Sequence, residues 1–315
     1  MKKNSKIYVA GHKGLVGSAI TRALKARGFS NLILKDRKEL DLLDQRAVAA
    51  FFEREKPEYV FLAAAKVGGI IANDTNPGEF IYENLLVQAN VLENARKSGV
   101  KKLLFLGSSC IYPRLAPQPI KEEYFLSGPL EPTNQAYAVA KIAGIITCQS
   151  YNKEYGKNFI SAMPTNMYGP NDNFDPINSH VLPAFIRKFH DAKTADKKEI
   201  LLWGTGAARR EFLHVDDFAD AALFLMEKYD ASEIINVGTG EDTTVKELAE
   251  MVKKITGFKG KIMWDKTKPD GMPRKLLDVS RLRALGWKHK ISLEKGISET
   301  YEWYKQSVKL KARPY

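Results

Sequence analysis

Only two cysteines, Cys110 and Cys148, occur in 315 residues, which excludes a disulfide-stapled scaffold and any zinc site built on paired thiolates. Long hydrophobic runs are also missing. The apolar stretch after Met1-Lys2-Lys3 breaks at Gly11-His12-Lys13, far short of a secretory core, and no run reaches the length of a bilayer span. Arginine-rich tracts, zinc-ligand spacings, aromatic RNA-binding patterns, internal repeats and low-complexity segments are absent too. These absences point to a cytoplasmic protein with no metal, no nucleic acid and no membrane among its partners. What is plentiful is positive charge: 49 Lys and Arg against 37 Asp and Glu give a formal +12. The cations are scattered, and such a surface serves small polyanions such as pyrophosphates as well as it serves nucleic acid.

The first half alternates short apolar runs with amphipathic stretches. Strands are predicted over 6–10, 31–35, 58–65, 101–107 and 158–163. Helices are predicted over 15–27, 44–55, 77–98 and 135–155, with Asp44 as an N-cap. Repeated βα units imply an α/β fold with a doubly wound parallel sheet. Beyond Pro164 the rhythm loosens into shorter elements over 199–203, 216–228, 234–237 and 244–256. These are read as a smaller, partly interleaved lobe over the carboxyl ends of the sheet. Residues 1–165, with contributions from about 212–240, are expected to form a dinucleotide-binding domain, and 166–315 mainly a substrate-binding lobe.

Gly11-x-x-Gly14-x-x-Gly17 directly follows the first strand and opens the first helix. Glycine lets the backbone turn sharply and approach a pyrophosphate, whose charge rests on amides at the helix N-terminus. Asp36 and Arg37 stand side by side at the end of the second strand, and Lys13 projects from the glycine loop. A carboxylate there suits the ribose of NAD, whereas cations suit the 2′-phosphate of NADP. Two cations against one carboxylate favour NADP(H).

Tyr137 and Lys141 lie four residues apart, on one face of a helix. A free phenol has a pKa of about 10, and a lysine cation beside it favours the phenolate and lowers that value. Tyr137 can then exchange a proton with a carbonyl oxygen. Ser108 follows the strand over 101–107, at the carboxyl edge where doubly wound sheets hold ligands, and its hydroxyl can bond the same oxygen.

Taken together, the glycine loop, Ser108 and Tyr137-x-x-x-Lys141 resemble the extended short-chain dehydrogenase/reductase family over nearly the whole chain. Pro164-Thr165-Asn166-Met167-Tyr168-Gly169-Pro170 resembles the family segment that passes the nicotinamide. The resemblance implies a Rossmann domain in which Gly11, His12, Lys13, Gly14, Leu15, Val16, Gly17 and Arg37 bind the nucleotide of NADP(H). It further implies cofactor contacts from Leu106, Gly107, Ser108, Ser109, Tyr137, Lys141, Pro164, Thr165, Asn166, Met167 and His180. A homodimer formed by the helices over 77–98 and 135–155 is implied as well.

Four stretches narrow the resemblance: Gly107-Ser108-Ser109-Cys110-Ile111-Tyr112-Pro113, Asn178-Ser179-His180-Val181, Trp203-Gly204 with Arg210-Glu211-Phe212-Leu213-His214-Val215-Asp216-Asp217, and Lys268-Pro269-Asp270-Gly271. They resemble members that act on the nucleotide sugar GDP-4-keto-6-deoxy-D-mannose in one site. There the C4 ketone acidifies the protons on C3 and C5. Cys110 as base and His180 as acid are implied for the epimerisations, Tyr137 for protonating the reduced C4 oxygen, and Lys188, Trp203, Arg210 and Asp270 for binding the substrate.

Read singly, several of these residues have plainer roles. Cys110 could be a buried apolar thiol and His180 a satisfied loop histidine. Trp203 could belong to a core, and Asp216 or Asp217 could cap the next helix rather than join His214 in a metal site. An ordinary thiol has a pKa of about 8.5, so Cys110 needs a cationic or dipolar neighbour to act as a base. Lys13 and Lys188 stand where arginine also occurs in the family, and Asp36 is unexpected for an NADP enzyme. Rival readings are another nucleotide-sugar epimerase or dehydratase on the same scaffold, or a non-catalytic NADP-sensing protein. A dehydratase would carry a Thr-Asp-Glu-type group near Ser109, and a silent sensor would tend to lack Tyr137.

Overall fold

The computed structural model describes residues 1–176, 178–268 and 270–311. The chain begins with β1 (Ile7–Ala10), α1 (Leu15–Ala26), β2 (Leu32–Ile33), α2 (Gln45–Glu55), β3 (Tyr59–Leu62), α3 (Ile70–Thr75), α4 (Pro77–Lys97), β4 (Lys102–Leu106), α5 (Gln135–Tyr155) and β5 (Phe159–Pro164). It continues through β6 (Asn166–Tyr168), α6 (Val181–Thr194), β7 (Glu199–Trp203), β8 (Arg209–His214), α7 (Val215–Lys228) and β9 (Ile235–Val237). The last elements are β10 (Asp242–Thr244), α8 (Val245–Thr256), β11 (Lys261–Asp265), β12 (Arg274–Lys275), α9 (Ser280–Ala284) and α10 (Leu293–Lys311).

Six strands in the order β2-β1-β3-β4-β5-β9 form one all-parallel sheet. β1, β4 and β5 are buried along their whole length, as continuous apolar strands must be when helices cover both faces. On one face they meet Val48 and Phe52 of α2, Leu92 of α4 and Ile145 and Cys148 of α5. On the other they meet Ile20 and Leu24 of α1 and Phe218 and Leu225 of α7. The chain steps outward from β1 to β2 and then returns beyond β1 to β3. That reversal splays the loops after β1 and β3 and opens a ligand crevice between them.

A separate core lies in the C-terminal lobe, where Leu182, Phe185 and Phe189 of α6 meet Leu248 and Val252 of α8 and Tyr301 of α10. A small sheet, β10-β8-β12 with β6 also paired to β8, joins this lobe to the large sheet. The α8 helix starts in a capping box between Thr244 and Glu247, and the Asp44 carboxylate caps α2 by accepting from Arg46 N and Ala47 N.

Three local expectations change. The strand over 31–35 shrinks to Leu32–Ile33. Just beyond it, the Asp36 carboxylate accepts from Lys38 N and Glu39 N and winds the chain into a turn. The strand over 58–65 stops at Leu62, where the backbone of Ala63 and Ala64 packs beneath Gly11. The helix starting at Pro77 is preceded by the short α3.

Candidate active site

The glycine loop fits a pyrophosphate sterically. Gly11 has a φ of +81°, and a Cβ there would stand 2.8 Å from Ala64 N. A Cβ on Gly17 would stand 2.1 Å from Gly11 O, so neither position admits a side chain. Gly14 N-caps α1 with extended backbone, and Leu15 and Val16 open the first turn, which carries no acidic residue. The free first-turn amides are thereby left to an anion. The buried Nδ1 of His12 has no hydrogen-bond partner among the described residues. A cleft of about 760 Å³ opens here, lined among others by Gly11, Lys13, Asp36, Arg37 and Ala64, and its lining stops short of Ser108. These features fit the nucleotide half of a dinucleotide.

Asp36 does not act as a free carboxylate. Lys13 Nζ lies 2.5 Å from its Oδ2, and this bond, with the amides of Glu39 and Lys38, holds the carboxyl down at about 2. Arg37 is 70% exposed, with Asp41 at 3.6 Å. At the mouth of the cleft Lys13 therefore neutralises the local acid, and Arg37 is the more loosely held cation.

Tyr137 and Lys141 come from the first turns of α5, and Ser108 from the end of β4. Lys141 is buried and donates to Leu106 O at 2.9 Å. Burial brings its pKa down to about 8. Its Nζ lies 5.8 Å from the centre of the Tyr137 ring. The expectation that Lys141 lowers the Tyr137 pKa is reversed. Burial raises it, the Cys110 charge raises it further, and the Ser108 hydroxyl only partly opposes them. The lysine charge is turned toward the Leu106 carbonyl, so Tyr137 stands as a protonated phenol. Gly107 and the buried Ser109 flank Ser108. On β5 and β6, Asn166 Nδ2 donates to Glu211 O at 2.9 Å, Thr165 N donates to Val237 O at 3.0 Å, and Pro164 and Met167 bracket them.

Cys110 sits in the single helical turn after Ser108, and its N donates to Ser108 Oγ at 3.2 Å. Two donors reach its sulfur: Lys275 Nζ at 3.2 Å and Asn134 Nδ2 at 3.4 Å. Burial pushes the thiol up, but the Lys275 charge and the Ser108 and Lys275 hydrogen bonds outweigh it against Glu131, and the net direction is down. Lys275 was not identified from the sequence. It lies in the two-residue β12, where no periodicity marks it. His180 is the N-cap residue of α6. The packing around its ring, then the Lys275 charge, lower its pKa, although the residue as a whole is exposed.

On the lobe, Trp203 is not a core residue. It is 37% exposed, with Lys188 Nζ 4.7 Å and Lys268 Nζ 5.9 Å from its ring centre. The arrangement is an open aromatic face flanked by cations. Arg210 Nη2 donates to Asp270 O at 3.1 Å, and burial lowers the pKa of this guanidinium. The Asp270 carboxylate accepts from Thr205 N at 2.7 Å and Thr205 Oγ1 at 2.6 Å, so it fixes a turn beside Trp203. Pro269, in the quoted motif, lies outside the described residues.

Neither Asp216 nor Asp217 caps α7. His214 Nδ1 does so, accepting from Asp216 N at 3.3 Å. Asp216 faces Arg22, and the Asp217 carboxylate accepts from Lys290 N and Ile291 N. Among the described residues, no group of three or more His, Cys, Asp or Glu could hold a metal ion, and no helix is long and apolar enough to cross a membrane.

The pattern of the NAD dependent epimerase/dehydratase family matches residues 7–238. The chain is 60% identical over 306 residues to GDP-L-fucose synthase 1 of Arabidopsis thaliana, covering 97% of this chain and 95% of that protein. It is 54% identical over 310 residues to GDP-L-fucose synthase of Escherichia coli K12, covering 95% and 96%. Its backbone matches a GDP-L-fucose synthetase from Naegleria fowleri bound to NADP with a TM-score of 0.90, at 28% identity over 98% of this chain and 96% of that one.

Proposed function

The chain belongs to the NAD dependent epimerase/dehydratase family, and from its site and its relatives we propose that it converts GDP-4-keto-6-deoxy-D-mannose to GDP-L-fucose with NADPH. The observation that carries this reading is a reducing group and a cation-paired thiol side by side, with Ser108 and Cys110 both following the end of β4. Ser108 and Tyr137 stand beside Cys110, whose sulfur lies 3.2 Å from Lys275 Nζ. A family member that only removes and returns a hydride at C4 has no use for that pair.

The residues that would hold NADPH are the loop Gly11 to Gly17, the cations Lys13 and Arg37 for the 2′-phosphate, Lys141 for the nicotinamide ribose, and the segment Pro164 to Met167. When bound, NADPH supplies the hydride for the C4 ketone. The chain does the rest. Ser108 and Tyr137 bond the C4 oxygen and stabilise the enolate formed when C3 or C5 loses a proton. Cys110 takes that proton as a thiolate. His180 returns one, and an imidazolium held below its ordinary range releases its proton readily. Tyr137, kept as a phenol by burial and by the neighbouring thiolate, finally gives its proton to the reduced C4 oxygen. Trp203 offers a stacking face to the guanine, and Lys188 and Arg210 offer charge to the pyrophosphate.

The same reading divides the work between residues 1–165 with 212–240, which take the cofactor, and the remainder, which takes the sugar nucleotide. A thiol that must stay reduced suits the cytoplasm. The pair α4 and α5, which leaves Tyr82, Val139 and Ile146 exposed, is proposed as the face of a homodimer.

The test is NADPH oxidation followed by absorbance with GDP-4-keto-6-deoxy-D-mannose as substrate and nuclear magnetic resonance of the product. Oxidation yielding GDP-L-fucose is expected. Oxidation yielding a product unchanged at C3 and C5 would reduce the chain to a ketoreductase. No oxidation with NADPH bound would overturn the substrate.

A further inference from the structure

We propose that Lys275 is a positioning residue for Cys110, its ammonium serving as the counter-ion that keeps the thiol ionised for proton abstraction. The proposal deepens the epimerase reading above and rests on it for its consequence in turnover, while the ion pair itself can be tested without any sugar.

Lys275 is only 8% exposed. A buried ammonium without compensation is costly, and such groups are paired or hydrogen-bonded. Among the described residues no carboxylate forms an ion pair with Lys275. Among those residues its Nζ has one hydrogen-bond partner, Cys110 Sγ at 3.2 Å. The neutralising group is therefore the sulfur, which can neutralise it only as a thiolate. Asn134 Nδ2, at 3.4 Å from the same sulfur, adds a second donor and no acceptor.

The lysine is fixed in place by its neighbours in sequence. Arg274 Nε donates to Asp242 Oδ2 at 2.5 Å, Leu276 N to Gln118 Oε1 at 2.9 Å, and Leu277 N to the buried Glu211 Oε2 at 2.9 Å. Lys275 itself pairs in register with Arg210 of β8. Charged and titratable groups face Cys110 from each surrounding element: Lys275 on β12, Arg210 on β8, Tyr137 on α5 and Glu131 ahead of α5. His180 at the head of α6 also feels the Lys275 charge. Glu131 opposes the thiolate, and the two cations favour it. Lys275 is the cation in hydrogen-bond contact.

The test titrates the thiol in the full-length protein. Thiolate absorbance is recorded against pH, with Cys110→Ser as the blank, and iodoacetamide labelling of Cys110 is followed by mass spectrometry. Wild type is expected to ionise below the ordinary thiol midpoint of about 8.5. Lys275→Met should raise that midpoint by about one pH unit or more and slow labelling at neutral pH about tenfold. Lys275→Arg should restore most of the shift, and NADPH binding by all three proteins reports that the fold is intact. A wild-type midpoint at or above the ordinary value, or a Lys275→Met midpoint equal to wild type, overturns the proposal. Should Lys275→Met fail to fold, the wild-type midpoint and Lys275→Arg still decide it. In turnover, the acidic limb of C3 and C5 proton exchange should move upward with the thiol midpoint in Lys275→Met. A Lys275-dependent midpoint without turnover of GDP-4-keto-6-deoxy-D-mannose would instead leave the ion pair standing and remove the substrate reading.

Discussion

Ser108, Tyr137 and Lys141 hang from one strand end and the first turns of one helix, whereas the sulfur of Cys110 is served by Lys275, 165 residues further along the chain. On the proposed reading, the reducing half is built within a single βα unit of the large sheet, and the epimerising half is assembled from the strand end after β4, the head of α6 and the short β12. The difference teaches where each half is vulnerable. The first depends on helix geometry that local sequence dictates. The second depends on how the C-terminal lobe is tied to the sheet, and much of that tie runs through Glu211. Its buried carboxylate accepts from Thr239 N, Gly240 N and Leu277 N.

The sharpest way to separate the halves is Cys110→Ser. Exchange of the C3 and C5 protons with solvent should fall about 10²–10⁴-fold, the usual worth of a positioned acid or base, while NADPH binding by fluorescence stays unchanged. Equal loss of both would make Cys110 structural and dissolve the comparison. Glu211→Ala removes the tie. It strands three amides, two of them buried, and should lower stability by about 2–4 kcal/mol in denaturant melts, with exchange weakened more than NADPH binding. If NADPH binding weakens more, the second half does not depend on the lobe as described. On the reducing side, Arg37→Ser should raise the KM for NADPH about tenfold and leave that for NADH nearly unchanged, since a charged hydrogen bond to the 2′-phosphate is lost. An equal effect on both cofactors would remove Arg37 from the 2′-phosphate site.

The smallest effect concerns pH. Asp172, on the loop from β6 toward His180, is pushed up to about 7 by burial, and its Oδ2 has no hydrogen-bond partner. Between its ordinary range and about 7 the folded protein holds a proton that the unfolded chain has released. The stability this group contributes is therefore full at acid pH and lost as pH rises through about 7. Asp172→Asn should flatten that slope and stabilise the protein by about 1 kcal/mol at alkaline pH in thermal melts. An unchanged slope would show that the loop is not the pH-sensitive part.

Much of this architecture was legible in the chain. The period-2 and period-3.6 patterns place the parallel sheet, its helices and the glycine loop, because βα units obey local rules. The parts that were not legible depend on contacts made at a distance. Lys275 carries no pattern because a two-residue strand has none. Trp203 reads as core within Glu199-Ile200-Leu201-Leu202-Trp203, yet β7 covers only one face and turns Leu201 and Trp203 outward together. His214 rather than an aspartate caps α7, since both carboxylates are drawn away, one to Arg22 and the other to the 290–291 backbone. The Tyr137–Lys141 spacing is legible, but the rotamer that sends the ammonium to the Leu106 carbonyl is not.

The most direct test of two separable chemistries in one site is Tyr137→Phe incubated with NADPH and GDP-4-keto-6-deoxy-D-mannose in deuterium oxide, with the sugar analysed by mass spectrometry. The account predicts deuterium at C3 and C5, entering more slowly because Ser108 alone then bonds the enolate oxygen, while NADPH oxidation falls further, by about 10²–10⁴-fold. Full NADPH oxidation, or no deuterium in a variant that still binds both ligands, would contradict it.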